Sequence, residues 1–235
     1  MTMGELLGSG RTADVFALDG ETGGEWVLRR YRDGWDAAGE AVVMGYVAGH
    51  GYPVPEVRIA KTAPSDLVLR RLHGPSMLGA LLDGGVTAAE GGAALAGLLH
   101  ALHAIPARVS GDPEHRVLHL DLHPDNVMLT ADGPMVIDWR NAEEGPPGLD
   151  WAMSAVILGQ VAVGGDELAA PATECLAALL AHRDPGVDLG SAQTGPLAEA
   201  AARRAVNPTM SPAEVAALSG AVALILELLA SSAEP

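Results

Sequence analysis

The distribution of apolar residues along the chain changes from strand-like to helix-like after the first third. Over residues 1–72, short apolar segments are separated by Gly, Pro and Asp, which is typical of strands joined by turns. Strands are predicted at residues 13–18, 25–31, 57–60 and 67–72. One helix is predicted among them at residues 35–49, because apolar residues recur there at helical spacing until a Gly-Tyr-Pro segment ends it.

From residue 77 onward, the apolar residues recur mostly at helical spacing. Helices are predicted at residues 77–82, 88–103, 151–163, 166–182, 195–205 and 212–230. The exception is a polar stretch at residues 117–138, in which short strands at 126–129 and 135–137 flank a turn. The pattern predicts an α+β protein in which a small mixed lobe, residues 1–74, precedes a mainly helical lobe, residues 75–235.

Candidate chemistry concentrates in this polar stretch. It contains His119, Asp121, His123 and Asn126 in close succession, and Asp138 follows the predicted turn. A carboxylate can orient or deprotonate an attacking hydroxyl, while an amide and a second carboxylate can hold Mg²⁺ on nucleotide phosphates. The alternative is a buried polar hairpin in which these side chains only bind one another and the turns. The match of several polar residues to one spacing favours the functional interpretation.

The spacing H-x-D-x-x-x-x-N, followed by I-D-W, resembles the catalytic loop and metal-binding segment of small-molecule kinases of the aminoglycoside phosphotransferase and choline kinase-like type. The resemblance implies a two-lobed protein kinase-like fold, with a small antiparallel sheet in the N-terminal lobe and a mainly helical C-terminal lobe. It also implies a hinge at residues 72–76 and a cleft that binds ATP and Mg²⁺. The resemblance extends from the first glycines to about residue 164.

The resemblance implies a role for each matching residue. Asp121 takes the place of the catalytic base, and Asn126 and Asp138 take the places of the metal ligands. Further residues are expected to support the catalytic loop, namely His119, His123 and Asp150.

A glycine-rich turn, Gly8-Ser9-Gly10, precedes the first predicted strand. Backbone amides in such a turn can approach phosphates closely, and the resemblance implies that this turn covers the nucleotide. Ala13 replaces the third glycine of the G-x-G-x-x-G pattern. A surface hairpin is the alternative, since Gly-Ser-Gly turns are common in hairpins.

The resemblance requires a cation on the strand at residues 25–31, where kinases normally carry Lys. Alternation along the strand puts Arg29 at this position, and Glu40 on the following helix is its expected partner. Arg is larger and planar, so the exchange is not conservative and bears on the rate of phosphoryl transfer. The alternative is that Arg29 and Arg30 are exposed strand cations.

Three further residues are candidates for chemistry but are interpreted structurally. His100 and His103 lie one helical turn apart without a third metal ligand, so they are interpreted as neutral histidines on a helix surface. Cys175 lies in an apolar helical pattern and is expected to be a buried thiol with no catalytic role.

The net charge of the chain favours some classes of binding partner over others. With 30 acidic and 14 basic residues, the formal net charge is -16, which disfavours nucleic acid and anionic lipid and favours a cationic small molecule. No basic region is followed by an apolar one at the N-terminus, and polar residues interrupt the apolar run at 213–230. We therefore expect a cytoplasmic protein without a membrane span, either a monomer or a homodimer.

Together these features predict an ATP-dependent phosphotransferase that moves the γ-phosphate to a hydroxyl of a small, amine-bearing molecule. An aminoglycoside-like antibiotic, an amino alcohol or a sugar fits this description. One alternative is a catalytically weak or silent nucleotide-binding protein, for which Ala13 and Arg29 are the evidence. A protein kinase is disfavoured because only about ten residues separate Asp138 from Gly148 and no A-P-E segment follows.

Overall fold

The computed structural model describes residues 2–19, 25–59 and 63–231. Contacts between Cα atoms divide the chain into two compact units. The first unit consists of Met1–Pro75 and Met128–Arg140, and the second consists of Ser76–Val127 and Asn141–Pro235. The segment Met128–Arg140 therefore groups with the N-terminal residues, whereas the boundary predicted after residue 74 assigned it to the C-terminal lobe.

The first unit contains a five-stranded sheet and one helix. The elements are β1 (Thr2–Ser9), β2 (Ala13–Asp19), β3 (Trp26–Tyr31), α1 (Ala38–Gly49), β4 (Val57–Ile59) and β5 (Asp66–Arg70). The strand order is β1-β2-β3-β5-β4, with neighbouring strands antiparallel, which confirms the predicted antiparallel sheet. Residue 60 of the predicted strand 57–60 lies outside the described residues.

Strand β1 and the start of α1 differ most from the prediction for the first unit, and the strand predicted at residues 67–72 is β5 (Asp66–Arg70). The pattern does not predict β1, because this strand forms one edge of the sheet and almost all of its residues are exposed. Without a buried face, a strand shows no apolar alternation. Helix α1 begins at Ala38 and not at residue 35, since the Asp36 carboxylate accepts a hydrogen bond from the Ala38 N–H and so forms a turn before the helix.

Strand β3 is buried on both faces. One face joins a cluster of buried apolar residues, Leu18, Trp26, Leu28 and Val68. Successive side chains of a strand point to opposite faces, so Arg29 and Tyr31 share the other face. Strand β3 lies between β2 and β5, and Arg29 is only 9% exposed.

A hairpin of β7 (Val127–Thr130) and β8 (Gly133–Val136) confirms the predicted strand pair in the polar stretch. Its backbone is bound to the rest of the first unit, since the Leu129 N–H donates to the Pro75 carbonyl at 2.9 Å. Gly74 makes this approach possible. Its φ is +133°, and a Cβ at this position would lie 1.9 Å from the Leu129 carbonyl oxygen, so only glycine fits.

The second unit is mainly helical. Its helices are α2 (Met77–Leu82), α3 (Ala88–His103), α4 (Pro147–Ala162), α5 (Ala169–Ala181), α6 (Pro196–Ala205) and α7 (Pro212–Ser231), and its strands β6 (Arg116–Leu118) and β9 (Glu143–Gly145) pair antiparallel. Helix α4 is the centre of this unit, because every residue from Gly148 to Gln160 is buried. It begins at Pro147, earlier than the predicted residue 151, and so places Asp150 in its first turn.

Helix α7 bears on the expectation that the chain has no membrane span. Its apolar window has a mean hydropathy of 1.9, so the helix is long and apolar enough to cross a membrane by length and composition, although polar residues interrupt it. This is weak evidence for a span, since core helices of soluble proteins meet the same criteria. Only 22% of that window is buried, and α7 packs on α4, where Ala221 lies against Gly159.

Candidate active site

Arg32, which the sequence analysis did not single out, hydrogen-bonds to the Gly8-Ser9-Gly10 turn that is predicted to cover the nucleotide. Gly8 and Ser9 end β1, and the Gly10 N–H donates to the Ala13 carbonyl at 2.9 Å. Arg32 holds the turn, because its Nη2 donates to the Gly10 carbonyl at 2.7 Å. The glycines and Ser9 remain exposed, and their contact with nucleotide stays a prediction.

Arg29 lies between two carboxylates of the first unit. Its Nη1 is 3.2 Å from Oε1 of Glu40, and its Nη2 is 2.6 Å from Oδ1 of Asp138. Arg29 is thus a buried cation and not the exposed one that the alternative interpretation assumed. Burial lowers the pKa of Arg29, but the charges of Asp138 and Glu40 outweigh burial and leave that pKa raised, so the guanidinium stays charged.

Glu40 receives hydrogen bonds from two further donors. The Tyr31 hydroxyl donates to Oε2 at 2.6 Å, and the Trp139 N–H donates to Oε1 at 3.1 Å. Burial raises the pKa of Glu40, and the opposing effects of Arg29 and the Tyr31 hydroxyl do not cancel this increase. Burial likewise raises the pKa of Tyr31, so its hydroxyl keeps its proton and remains a donor.

Asp138 has an unusual backbone conformation. Its φ is +65°, in the left-handed region that a residue with a side chain adopts at a cost. The next residue, Trp139, is buried, and its Nε1 donates to the Val136 carbonyl at 3.1 Å. The turn therefore buries the indole, while the carboxylate of Asp138 remains 33% exposed beside Arg29.

Arg140 lies beside Tyr31 in the first unit, and the sequence did not indicate a role for it. Its Nη2 lies 2.6 Å from Oδ2 of Asp33. Its guanidinium lies 5.1 Å from the centre of the Tyr31 ring and 5.0 Å from that of Trp35. Cation–π contacts of this kind help to hold the Tyr31 ring, and the periodicity of the sequence does not predict them.

The predicted catalytic loop lies in the second unit. Nδ2 of Asn126 donates to the Asp121 carbonyl at 2.8 Å and to His123 Nε2 at 3.2 Å. The carboxylate of Asp121 is close to the same amide, with Oδ2 at 3.4 Å from Nδ2. His123 also begins the 3₁₀ turn Pro124–Asn126, and Asp125 within that turn is exposed. The loop thus brings Asp121, His123 and Asn126 together.

Asp150 holds the backbone of this predicted catalytic loop. Its carboxylate accepts hydrogen bonds from the His119 N–H at 2.8 Å and the Leu120 N–H at 2.7 Å. The conformation that it holds is strained, because Leu120 has a φ of +59°. His119 is fully buried, and its Nδ1 accepts from the Asp121 N–H at 3.2 Å. Both residues therefore hold the backbone on which Asp121 is carried.

His103 corrects another interpretation from the sequence. It is not a surface histidine, since its side chain is 8% exposed and its Nε2 lies 3.1 Å from Oδ2 of Asp150. Burial raises the pKa of Asp150, but the hydrogen bond and charge of His103 and the His119 N–H outweigh burial, so that pKa is lowered. His100 is exposed, as predicted, and its Nε2 lies 2.8 Å from the His182 carbonyl.

The predicted metal ligands are divided between the units, Asn126 in the second and Asp138 in the first. The donor types fit Mg²⁺, which prefers carboxylate and amide oxygens. Asn126 directs its Nδ2 toward Asp121 and His123, which leaves Oδ1 as the atom that a metal would use. Among the described residues, no group of three or more His, Cys, Asp or Glu is arranged to hold a metal ion by itself.

Two other features of the second unit lie apart from the predicted chemistry. A cavity of about 430 Å³ is lined by residues that include His103, Glu114 and Trp151, but Asp121 is not among them. Burial raises the pKa of the Cys175 thiol to about 12, so this cysteine is unreactive at neutral pH, in agreement with its structural interpretation.

Comparison with known proteins decides the family. The model of the family described as APH, phosphotransferase enzyme family, matches residues 4–116 and 107–188, which is well over half of the chain. The chain belongs to this APH phosphotransferase family. The matched residues include the predicted catalytic loop, Asp138 and Asp150. A search of curated proteins finds no match.

Solved structures agree with the APH fold. The amicoumacin kinase hAmiN, in complex with AMP-PNP, Ca²⁺ and Ami, is 15% identical with a TM-score of 0.53, covering 97% of this chain and 88% of that one. A protein from Ralstonia eutropha JMP134 that is assigned as an aminoglycoside phosphotransferase is 14% identical with a TM-score of 0.54, covering 97% and 93%. These findings confirm the protein kinase-like fold and the predicted enzyme class, an ATP-dependent phosphotransferase.

Proposed function

We propose that this APH-family enzyme transfers the γ-phosphate of ATP to a hydroxyl of a small, amine-bearing molecule. The observation that supports this most strongly is the predicted catalytic loop, in which the Asp150 carboxylate accepts hydrogen bonds from the backbone N–H groups of His119 and Leu120, directly before Asp121. A carboxylate on a rigid, strained loop is suited to take a proton from an attacking hydroxyl. Asp121 is therefore the proposed base.

The other predicted residues complete the proposal. Asn126 and Asp138 would bind Mg²⁺, which when bound neutralises charge on the nucleotide phosphates. Arg29 would bind phosphate with Glu40 as its partner, and the backbone amides of the Gly8-Ser9-Gly10 turn would cover the phosphates. The residues proposed to support the loop are His119, His123 and Asp150.

The acceptor class is proposed from charge. The formal net charge of -16 would attract a cation, and an amine-bearing acceptor is a small cation at neutral pH. Two structural relatives of the same fold are kinases of this type, an amicoumacin kinase and a protein assigned to aminoglycosides. We propose an aminoglycoside-like antibiotic, an amino alcohol or a sugar as acceptor, with the enzyme acting in the cytoplasm as a monomer or homodimer.

The test combines binding and turnover in one sample. Titration calorimetry measures ATP binding with and without Mg²⁺, and ADP release is then followed against a panel of aminoglycosides, amino alcohols and sugars. Binding that depends on Mg²⁺, with ADP release on a panel member, is the expected result. Casein serves as the control acceptor and should give no turnover. Absence of nucleotide binding under all conditions would overturn the proposal.

A second candidate is a nucleotide-binding protein with weak or no catalysis. The observation that favours it is the ion pair of Arg29 with Asp138. In this pair the proposed phosphate-binding cation and a proposed metal ligand bind each other. Lys61 is the only lysine of the sequence and lies outside the described residues, so no described lysine can replace Arg29. Nucleotide binding without turnover in the wild type, followed by turnover in Arg29→Lys, would favour this candidate.

A further inference from the structure

We propose that Tyr31 is a positioning residue of the nucleotide site. It holds Glu40 against one side of the Arg29 guanidinium, so that the other side of the guanidinium can bind a second anion. The inference deepens the proposed function and rests on it, because Arg29 is taken as the phosphate-binding cation. Tyr31 carries no role in the sequence motif. It lies two residues after Arg29 on β3, so strand alternation places both side chains on one face.

The hydrogen bonds of Glu40 carry the first step. Oε2 accepts from the Tyr31 hydroxyl at 2.6 Å, whereas Oε1 lies 3.2 Å from Arg29 Nη1 and 3.1 Å from the Trp139 nitrogen. The shortest of these contacts is the one to Tyr31. Glu40 is therefore held by a neutral phenol and a backbone amide as well as by the cation, so two of its three contacts do not depend on Arg29.

The geometry of Arg29 carries the second step. Its Nη1 faces Glu40, and its Nη2 faces Asp138 at 2.6 Å. A guanidinium carries its N–H donors on three nitrogens in a fixed plane, so Nη1 can keep Glu40 while Nη2 exchanges one anion for another. With Glu40 anchored by Tyr31, Nη2 is the part that can exchange Asp138 for a phosphate oxygen.

Electrostatics make the role measurable. Arg29 and Tyr31 on β3 and Asp138 after β8 are the titratable groups that face Glu40, and Arg140 lies beside the Tyr31 ring. The Tyr31 hydroxyl lowers the pKa of Glu40, whereas burial and Asp138 raise it. Loss of the hydroxyl would therefore raise the pKa of Glu40 further. Glu40 would then be protonated, and lost as a partner of Arg29, at a higher pH.

The test is the Tyr31→Phe variant, which keeps the ring beside Arg29 and Arg140 and removes only the hydroxyl. Calorimetry measures the Kd of Mg·ATP from pH 5.5 to 8 for this variant, the wild type and Tyr46→Phe. Tyr46 is a matched control, because it lies on the same helix as Glu40 and contacts His50. ATP changes its own protonation over this pH range in the same way in all samples, so a difference between variants comes from the protein. The expected result for Tyr31→Phe is about tenfold weaker binding of Mg·ATP, since a hydrogen bond to a charged group is lost. The pH below which binding weakens should also be higher for Tyr31→Phe than for the wild type.

A double variant separates positioning from packing. In a Glu40→Gln background no carboxylate remains to be positioned or titrated, so adding Tyr31→Phe should cause no further loss and no pH displacement. Equal losses in both backgrounds would overturn the inference, because Tyr31 would then act by packing. Wild-type binding with an unchanged Tyr31→Phe profile would overturn the inference alone, whereas no binding by the wild type would overturn the proposed function and the inference together.

Discussion

Asp138 forms a 2.6 Å ion pair with Arg29, so a proposed metal ligand and the proposed phosphate-binding cation bind each other. The residues come from different parts of the first unit, β3 and the segment after the β7–β8 hairpin. Because the pair is partly buried, its charges are less screened by water than those of a surface pair. With the proposed roles, metal and nucleotide would compete with this contact, and Asp138 would have two opposing effects on binding.

Asp138→Asn should change ATP binding in opposite directions with and without metal. In Mg²⁺ the variant should bind ATP about tenfold more weakly, since an anionic ligand is lost. In EDTA its binding should be equal to or tighter than that of the wild type, because Arg29 is released from its ion pair. Calorimetry checks both. The exposed hairpin variant Asp132→Asn is the control, and a Mg²⁺ response of Asp138→Asn equal to that control would contradict the metal role.

Asp121→Asn should remove turnover and leave nucleotide binding nearly unchanged. The amide cannot accept the hydroxyl proton, so ADP release with acceptor should fall by about 100-fold or more. The measurement is kcat on the acceptor found in the panel, with the Kd of Mg·ATP determined alongside. Asp125→Asn changes an exposed carboxylate in the same loop and should retain activity. Full activity of Asp121→Asn would remove Asp121 from the mechanism.

Asp150→Asn should lower the free energy of unfolding by about 3 kcal/mol at neutral pH, because the buried backbone N–H groups of His119 and Leu120 lose a charged acceptor. The lowered pKa of Asp150 means that its stabilisation is present above about pH 4 and is lost as pH falls. The difference between wild type and variant should therefore shrink toward pH 3. Urea unfolding at pH 7, 5 and 3 measures it, and a difference independent of pH would contradict the assignment.

Gly92→Ala should destabilise the packing of α3 on α5. A Cβ at Gly92 would lie 2.2 Å from the Cys175 carbonyl oxygen, so the helices would have to separate, at about 2 kcal/mol or more. Gly97 on the same helix is exposed and has nothing within 4 Å of such a Cβ. Gly97→Ala should therefore stabilise by about 0.5 kcal/mol through helix propensity. Thermal unfolding compares the two, and equal melting temperatures would contradict the packing argument.

Local patterns predict most of the helices and the β7–β8 hairpin, because these elements depend on periodicity and turn residues within a short window. They do not predict β1, whose exposed edge position removes the apolar alternation. His103 shows the corresponding limit for the site. Its spacing from His100 indicates a helix surface, yet its side chain is buried against Asp150, which lies on a different helix.

The sequence by itself determined the chemistry that the chain can offer: a loop with Asp121 and Asn126 at kinase spacing, Asp138 after a hairpin, and Arg29 on a strand with Glu40 on the following helix. The tertiary structure decided how these groups are paired. Tyr31 binds Glu40, Asp138 binds Arg29, and Asp150 binds His103 and the catalytic loop. Such contacts join residues far apart in the chain, so they depend on packing and strand register, which the periodicity of a single segment does not encode.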